Sequence, residues 1–208
     1  MIKRTACAGI FTWSAFQAER GIDFNGFLWV RPEGNVLIDP MELDQEGLAD
    51  VHAKGGAAWI LLTNYDHLRA APRLADVLAA KILAPAGERE RFGQDAGLVH
   101  GWFSTSADLP VDLQEEIDVI ELRGGKSPIE AALFLKEPGA LVFGDLVRSH
   151  VSGRLMLLPD PKLTDRAMAL ESLAALRSLT PAAVLLGDGD SFFFRAAEAF
   201  SEFLDSLA

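Results

Sequence analysis

Three short apolar runs in this chain each lead into a carboxylate. Ala57–Leu62 runs into Thr63-Asn64-Tyr65-Asp66-His67, Ala140–Phe143 into Gly144-Asp145, and Ala183–Leu186 into Gly187-Asp188-Gly189-Asp190. Short, unbroken apolar runs bounded by polar turns are the pattern of strands buried on both faces. A fold that lines up their C-terminal ends brings these carboxylates to one place. Carboxylates that converge in a partly buried site need positive charge beside them. The chain must therefore deliver a metal or cationic side chains to the same point.

The 208 residues are half apolar, enough for a sizeable core, and no linker-like stretch divides them, so one domain over residues 1–208 is expected. The net charge of −11 argues against nucleic acid and anionic membrane as partners, because phosphate binding needs clustered Lys and Arg. The acidity itself reads as a solubility feature. Cys7 is the single cysteine, which removes a disulfide framework and a cysteine-based zinc site. The apolar start, Ala6 to Phe11, is cut short by Thr12, Ser14 and Gln17 and leads to no signal-peptidase motif. No run of about 18 apolar residues suggests a membrane span, and a cytoplasmic location is expected. Thirteen Phe and four Trp leave apolar surface enough for a homodimer.

Along the chain, residues 5–16, 24–30 and 36–38 read as strands, with turn chemistry at Arg31–Asn35 and a stop at Asp39-Pro40. Residues 42–54 read as a helix stopped by Gly55-Gly56, 57–62 as a strand, 67–80 as an amphipathic helix and 81–85 as a short buried strand. The middle is strand-rich, at 98–103, 116–122, 131–136 and 141–143. The end alternates helix 164–179, strand 183–187 and helix 191–207, the last with Phe193, Ala197, Phe200, Leu204 and Leu207 as a packing stripe. Periodicity alone supports an α/β or α+β class.

The order of elements and several local motifs resemble the metallo-β-lactamase fold superfamily over most of the chain. Asn25–Val30 looks like its opening strand, and Val36-Leu37-Ile38-Asp39-Pro40 like its strand ending in Asp. Leu61-Leu62-Thr63 with Asp66-His67-Leu68 and a helix through Pro72 and Leu74 looks like its strand, metal loop and helix. Leu141–Asp145 looks like the strand that carries the metal-bridging Asp. Gly124-Gly125-Lys126-Ser127-Pro128 stands where Pro-Gly-His-Thr-Pro is usual, and Gly187-Asp188-Gly189 where Gly-His-Gly is usual. The resemblance implies an α+β, four-layer αββα sandwich of two mixed β-sheets flanked by helices. The family's H-x-H-x-D-H motif is present only as Asp66-His67, with the leading histidines deleted; a turn tolerates such a deletion better than a packed helix.

The resemblance then implies that the first of the family's two metal places is lost, with Lys126 near one of its former ligands. Asp66, His67, Asp145 and Asp188 remain as candidate ligands of the second. One imidazole and three carboxylates form an oxygen-rich set suited to Mn²⁺, Fe²⁺ or Mg²⁺, with Zn²⁺ the family's usual ion. An ammonium about 3 Å from a divalent ion is repelled by roughly 11 kcal/mol at an effective dielectric near 20, whereas each carboxylate attracts it by roughly 5 kcal/mol before desolvation. Two readings stay open. In one, a single divalent metal serves a hydrolase of a small ester, thioester or lactone, with Asp66 and Lys126 as candidate catalytic residues. In the other there is no metal, Lys126 with Arg69 neutralises the acidic site, and the chain is a binding or interaction protein or a metal-independent enzyme.

Plainer readings stand beside these. Asp39 reads as a strand-ending turn residue, Asp66 as a helix N-cap, His67 as a capping or packing residue and Asp190 as an N-cap. Gly124-Gly125 reads as a tight turn or, with Lys126, as a small anion nest. His52, His100 and His150 have no motif around them, with His100 a reserve ligand. No G-x-S-x-G elbow, Walker loop or G-x-G-x-x-G occurs.

Overall fold

A computed structural model describes residues 1–207 of the chain. Thirteen strands are assigned in the described residues: β1 (Lys3–Arg4), β2 (Ile10–Gln17), β3 (Ile22–Trp29), β4 (Val36–Ile38), β5 (Trp59–Leu61), β6 (Lys81–Pro85), β7 (Gly101–Phe103), β8 (Ile117–Arg123), β9 (Ile129–Leu135), β10 (Ala140–Phe143), β11 (Val147–Val151), β12 (Arg154–Leu157) and β13 (Ala183–Leu186). The helices are α1 (Gln45–Ala53), α2 (Ala71–Leu78), α3 (Arg89–Phe92), α4 (Val111–Gln114), α5 (Arg166–Ala174) and α6 (Ala196–Asp205).

Strands β1 to β7 form one sheet in chain order, antiparallel from β1 to β4 and parallel from β4 to β7. A second sheet has the order β13-β10-β9-β8, with β10 and β13 parallel, and β11 and β12 pair as a separate hairpin. Three apolar clusters reveal the layers. Ile10, Phe27, Ile38 and Leu61 of the first sheet meet Leu133, Val142 and Leu185 of the second between the sheets. Leu28, Leu37 and Ile60 on the first sheet's outer face meet Val51 of α1 and Leu74 of α2. Leu122, Leu141 and Val184 on the second sheet's outer face meet Leu173 of α5 and Phe200 of α6. Helix, sheet, sheet, helix is the four-layer αββα arrangement expected.

Local signals set several boundaries. Asp44 caps α1 by accepting from Gly47 N at 2.7 Å. Pro72 stands in the first turn of α2, where its missing N–H is harmless. The expected helix 67–80 is instead a single 3₁₀ turn, Tyr65–His67, followed by α2. Asn64, not Asp66, caps that turn, its Oδ1 accepting from His67 N at 3.2 Å. The last helix starts at Ala196 rather than 191, because Phe192 exchanges both backbone hydrogen bonds with Val184 and is held in extended chain. Asp190 is therefore not its cap, and Phe193 packs between the sheets rather than on the helix stripe. The hairpin β11–β12 was not expected from the sequence at all. No helix among the described residues is long and apolar enough to cross a membrane.

Candidate functional site

The parallel pairs point their C-terminal ends the same way. β10 and β13 are in register, with Phe143 opposite Leu186, so Gly144-Asp145 and Gly187-Asp188 leave the sheet side by side. β4 and β5 pair Ile38 with Leu61, which sets Asp39 beside Thr63. The two groups of strand ends meet across the sandwich at the floor of a cleft of about 420 Å³. Its lining includes Phe24, Met41, Asp66, His67, Arg69, Lys126, Asp145 and Asp188.

Asp39 is the anchor. It is fully buried, with φ 47°, a left-handed conformation that is unusual for a residue other than glycine. Its Oδ1 accepts from Thr63 N at 2.8 Å, and its Oδ2 accepts from Thr63 Oγ1 at 2.6 Å and from His67 Nδ1 at 2.8 Å. The Thr63 hydroxyl gives its proton to Asp39, so both neighbours of His67 Nδ1 are acceptors and Nδ1 carries the proton. His67 Nε2 is thereby turned toward Asp145, 3.7 Å from its Oδ1. Burial works against charge on this ring, as does Arg69, but Asp39 and Asp145 together outweigh them and the pKa is pushed up to about 9. Whatever occupies Nε2, a proton or a cation, sits between His67 and the carboxylates.

Two glycines let this happen. A Cβ on Gly187 would lie 2.5 Å from His67 Cε1, and one on Gly144 would lie 2.6 Å from Thr63 Oγ1. Gly187→Ala must push the imidazole off its Asp39 bond; we expect a loss of about 1–3 kcal/mol in stability by urea melt and a changed His67 ring environment by NMR. An unmoved ring resonance would show that the packing has slack.

Lys126 lies on the other side of Asp145. Its Nζ is 2.7 Å from Asp145 Oδ2 and 2.7 Å from Asp66 Oδ2. Burial lowers the Lys126 pKa, yet Asp145 and Asp66 more than reverse this. The loop that carries it is pinned: the Gly124 and Gly125 carbonyls accept from Thr164 and Asp165 at the entry to α5. Asp66 is also bound by Arg91 Nη2 at 3.1 Å, and Arg91 is bonded in turn to Glu88 and Ser127. Asp188 faces Arg69 Nη2 at 3.5 Å. Lys126 and Arg69 thus divide the three carboxylates, Asp66 and Asp145 to Lys126 and Asp188 to Arg69.

Beneath Asp145 lies Glu130, buried on β9. Its Oε1 accepts from Leu146 N at 2.7 Å, and its Oε2 accepts from Asp145 N at 3.1 Å and Asn64 Nδ2 at 3.3 Å. Burial, with the Asp145 charge next to it, pushes its pKa up to about 8. Asp145 goes the other way: burial would raise it, but His67 and Lys126 hold it well below the ordinary carboxylate value. Thus Asp39, Asp66, Asp145 and Asp188, with Glu88 behind Arg91, face the cationic groups His67, Arg69, Arg91 and Lys126.

Of the four residues expected to ligate a metal, His67, Asp145 and Asp188 offer donor atoms within 4.8 Å of one another, all buried. Asp66 is not among them, being held by Arg91 and Lys126. Two carboxylates and an imidazole whose far nitrogen is fixed by a carboxylate make a chemically sound three-donor set with room for a fourth ligand. It fits one divalent ion provided Nε2 gives up its proton. His100 is elsewhere, its Nδ1 accepting from Ile82 N at 3.2 Å. Asp39, Thr63, Asn64, Glu130 and Arg91 complete the site without having been singled out for it. Asp39 and Thr63 carried a signal, each as the end of a strand resembling the family's.

The family model described as "Metallo-beta-lactamase superfamily" matches residues 2–207. None of the curated proteins matches the sequence. Among solved structures the fold is similar to that of the DIM-1 metallo-β-lactamase, with TM-score 0.73, 16% identity, and 100% of this chain and 98% of that one covered. A metallo-β-lactamase from Pontibacter korlensis gives TM-score 0.75 at 14% identity, covering 100% and 98%. The archaeal superfamily protein ST1585 from Sulfolobus tokodaii gives 0.63 at 19%, covering 96% and 86%.

Proposed function

The chain belongs to the metallo-β-lactamase superfamily, and from that premise we propose that it is a hydrolase of a small ester, thioester or lactone with a single-metal site. The observation that carries this reading is the convergence of His67 Nε2, Asp145 and Asp188 at the floor of the cleft. A divalent ion held by these three would supply Lewis acidity and a bound water of lowered pKa.

The remaining work falls to the chain itself. Asp39 and Thr63 fix the tautomer and aim of His67. Lys126, half-buried at the cleft, offers an ammonium N–H to a developing oxyanion or a substrate carboxylate. Asp66 and Arg91 hold that ammonium in place, while Phe24 and Met41 give the cleft apolar wall for the rest of the substrate. Lys126 and Arg69 both line the cleft, and their charge favours substrates that present a carbonyl oxygen or an anionic group.

The test is metal analysis of tag-free protein produced in metal-supplemented medium, followed by a panel of esters, thioesters and lactones. Close to one Mn, Fe or Zn per chain, with hydrolysis that chelators abolish, is the expected result. Because the ligand must be neutral His67, metal uptake should strengthen as pH rises from 6 toward about 9. Full activity after chelation would sink the proposal.

A second reading is favoured by the 2.7 Å contacts of Lys126 to Asp66 and Asp145. In it the site is neutralised by its own cations and the chain binds a ligand without a metal. No metal in the purified protein, and no thermal shift on adding divalent ions, is what it requires.

A further inference from the structure

Asn25 is a polar residue on an apolar face. Alternation along β3 puts it on the side of Phe27 and Trp29, both in the apolar cluster between the sheets. It is only 6% exposed. A buried amide left unbonded costs stability, and this one uses both of its donors. Nδ2 donates to Leu186 O at 2.9 Å and to Gly189 O at 2.7 Å, and Oδ1 accepts from Ser14 Oγ at 2.7 Å. The main chain adds to this: Asn25 N donates to Gly187 O at 2.9 Å, and Asn25 O accepts from Arg69 Nη1 at 3.1 Å.

The carbonyls it takes belong to the segment that leaves β13 and carries Asp188. Gly189 N returns a bond to Asp23 O at 2.9 Å, so β3 of the first sheet is stitched to the end of β13 in the second. Two features of the site depend on that stitch. Asp188 rides on the segment, and Gly187 lies against His67, where a Cβ would be 2.5 Å from Cε1. His67 is placed from the first sheet, through Asp39 and Thr63, whereas Asp188 comes with the second. Asn25 ties the two together. Alanine in its place would offer neither donor, and aspartate would set oxygen against two carbonyl oxygens.

We propose that Asn25 is a positioning residue for metal binding: its amide holds residues 186–189 where Asp188 comes within reach of His67 and Asp145. The inference rests on the single-metal reading of the site and adds to it the residue that sets the spacing of the donors. A second asparagine supplies the control. Asn35, 4% exposed, also gives both donors to carbonyls, Lys54 O and Gly56 O, each at 2.8 Å, and accepts from Arg31 N at 3.1 Å. None of these partners lines the cleft.

The experiment is calorimetric titration of the tag-free, metal-stripped full chain with Mn²⁺ and separately with Zn²⁺, for wild type, Asn25→Ala and Asn35→Ala, well below each melting temperature. Both variants should melt lower than wild type, since each leaves buried carbonyls without donors. Asn25→Ala should bind metal about tenfold or more weakly, with Asn35→Ala within about twofold of wild type. Undiminished affinity in Asn25→Ala overturns the proposal. Equal weakening in Asn35→Ala overturns it too, for the effect is then one of general loosening. Wild type that takes up neither ion defeats the single-metal reading and this inference with it, whereas wild type and Asn25→Ala binding alike defeats the inference alone. Should Asn25→Ala not fold, the wild type still decides. A metal that needs the stitch must by linkage also tighten it. Exchange of the Asn25 and Gly189 amide protons should slow on Zn²⁺ binding several-fold more than that of Ala58, whose N–H is held by Asn35 O at 2.9 Å. Equal slowing at all three overturns the proposal.

Discussion

Asp145→Ala is expected to lower stability by about 3 kcal/mol, a fall of roughly 6–12 °C in melting temperature for a chain of this size. The carboxylate answers Lys126 at 2.7 Å, accepts from Asn64 Nδ2 at 3.2 Å and faces His67 Nε2 at 3.7 Å. Its removal leaves an ammonium with Asp66 alone and an imidazolium with Asp39 alone. We place the loss at the low end of the range for breaking buried pairs because Lys126 keeps 31% of its side chain in solvent. Relief of Glu130, whose pKa Asp145 helps to raise, offsets part of it. Asp145→Asn, which preserves shape and one acceptor, should cost less than half as much. An alanine variant that melts within about 2 °C of wild type would show that these charges are not coupled.

The second large effect is on pH. In metal-stripped protein, stability should fall continuously from about pH 5 to pH 9. Glu130 has a folded pKa of about 8 against an ordinary value of 4.5, so the folded chain binds more protons than the unfolded one between those values. His67, at about 9 against 6.5, does the same over the upper part of the range. Where the folded state binds more protons, stability drops as pH rises. Below about pH 3.8 the sign reverses, because Asp145 is depressed and protonating it removes stabilisation. The fall across the range is on the order of 3 kcal/mol after allowing for coupling between these neighbours. Urea midpoints at pH 5, 7 and 9 measure it, and His67→Gln should flatten the upper half. A profile level from pH 6 to 9 would contradict the site described here.

Much of this was legible in the sequence for one reason. The runs 140–143 and 183–186 are apolar on both faces, so each is a buried strand, β10 inside its sheet and β13 at the end of it, and a glycine before each Asp marks where the backbone must pass close to something. Lys126 could be weighed against a metal from charge alone. Asp39 could not be seen for what it is, because a carboxylate before proline has an adequate local explanation as a turn. Its partners, Leu61 O and both Thr63 donors, come from β5 and the residue just beyond it. Glu130 lies in an apolar strand with no local cue, and only its distance to the backbone at 145–146 gives it meaning. The hairpin β11–β12 hid because Arg148, Ser149 and His150 interrupt its apolar alternation.

The first sheet has its strands in chain order, each hydrogen-bonded to the one before it, whereas β13 must wait to find β10 across α5 and two intervening strands. Backbone pairings between near neighbours in sequence form fast, and distant ones form late. The half that supplies Asp39 and His67 can therefore be in place while the ribosome is still adding the half that supplies Asp145 and Asp188. Asp188 arrives last. The carboxylates are thus gathered only after Lys126 and Arg69 are present, and the nascent chain is spared from collapsing around like charges that nothing yet opposes.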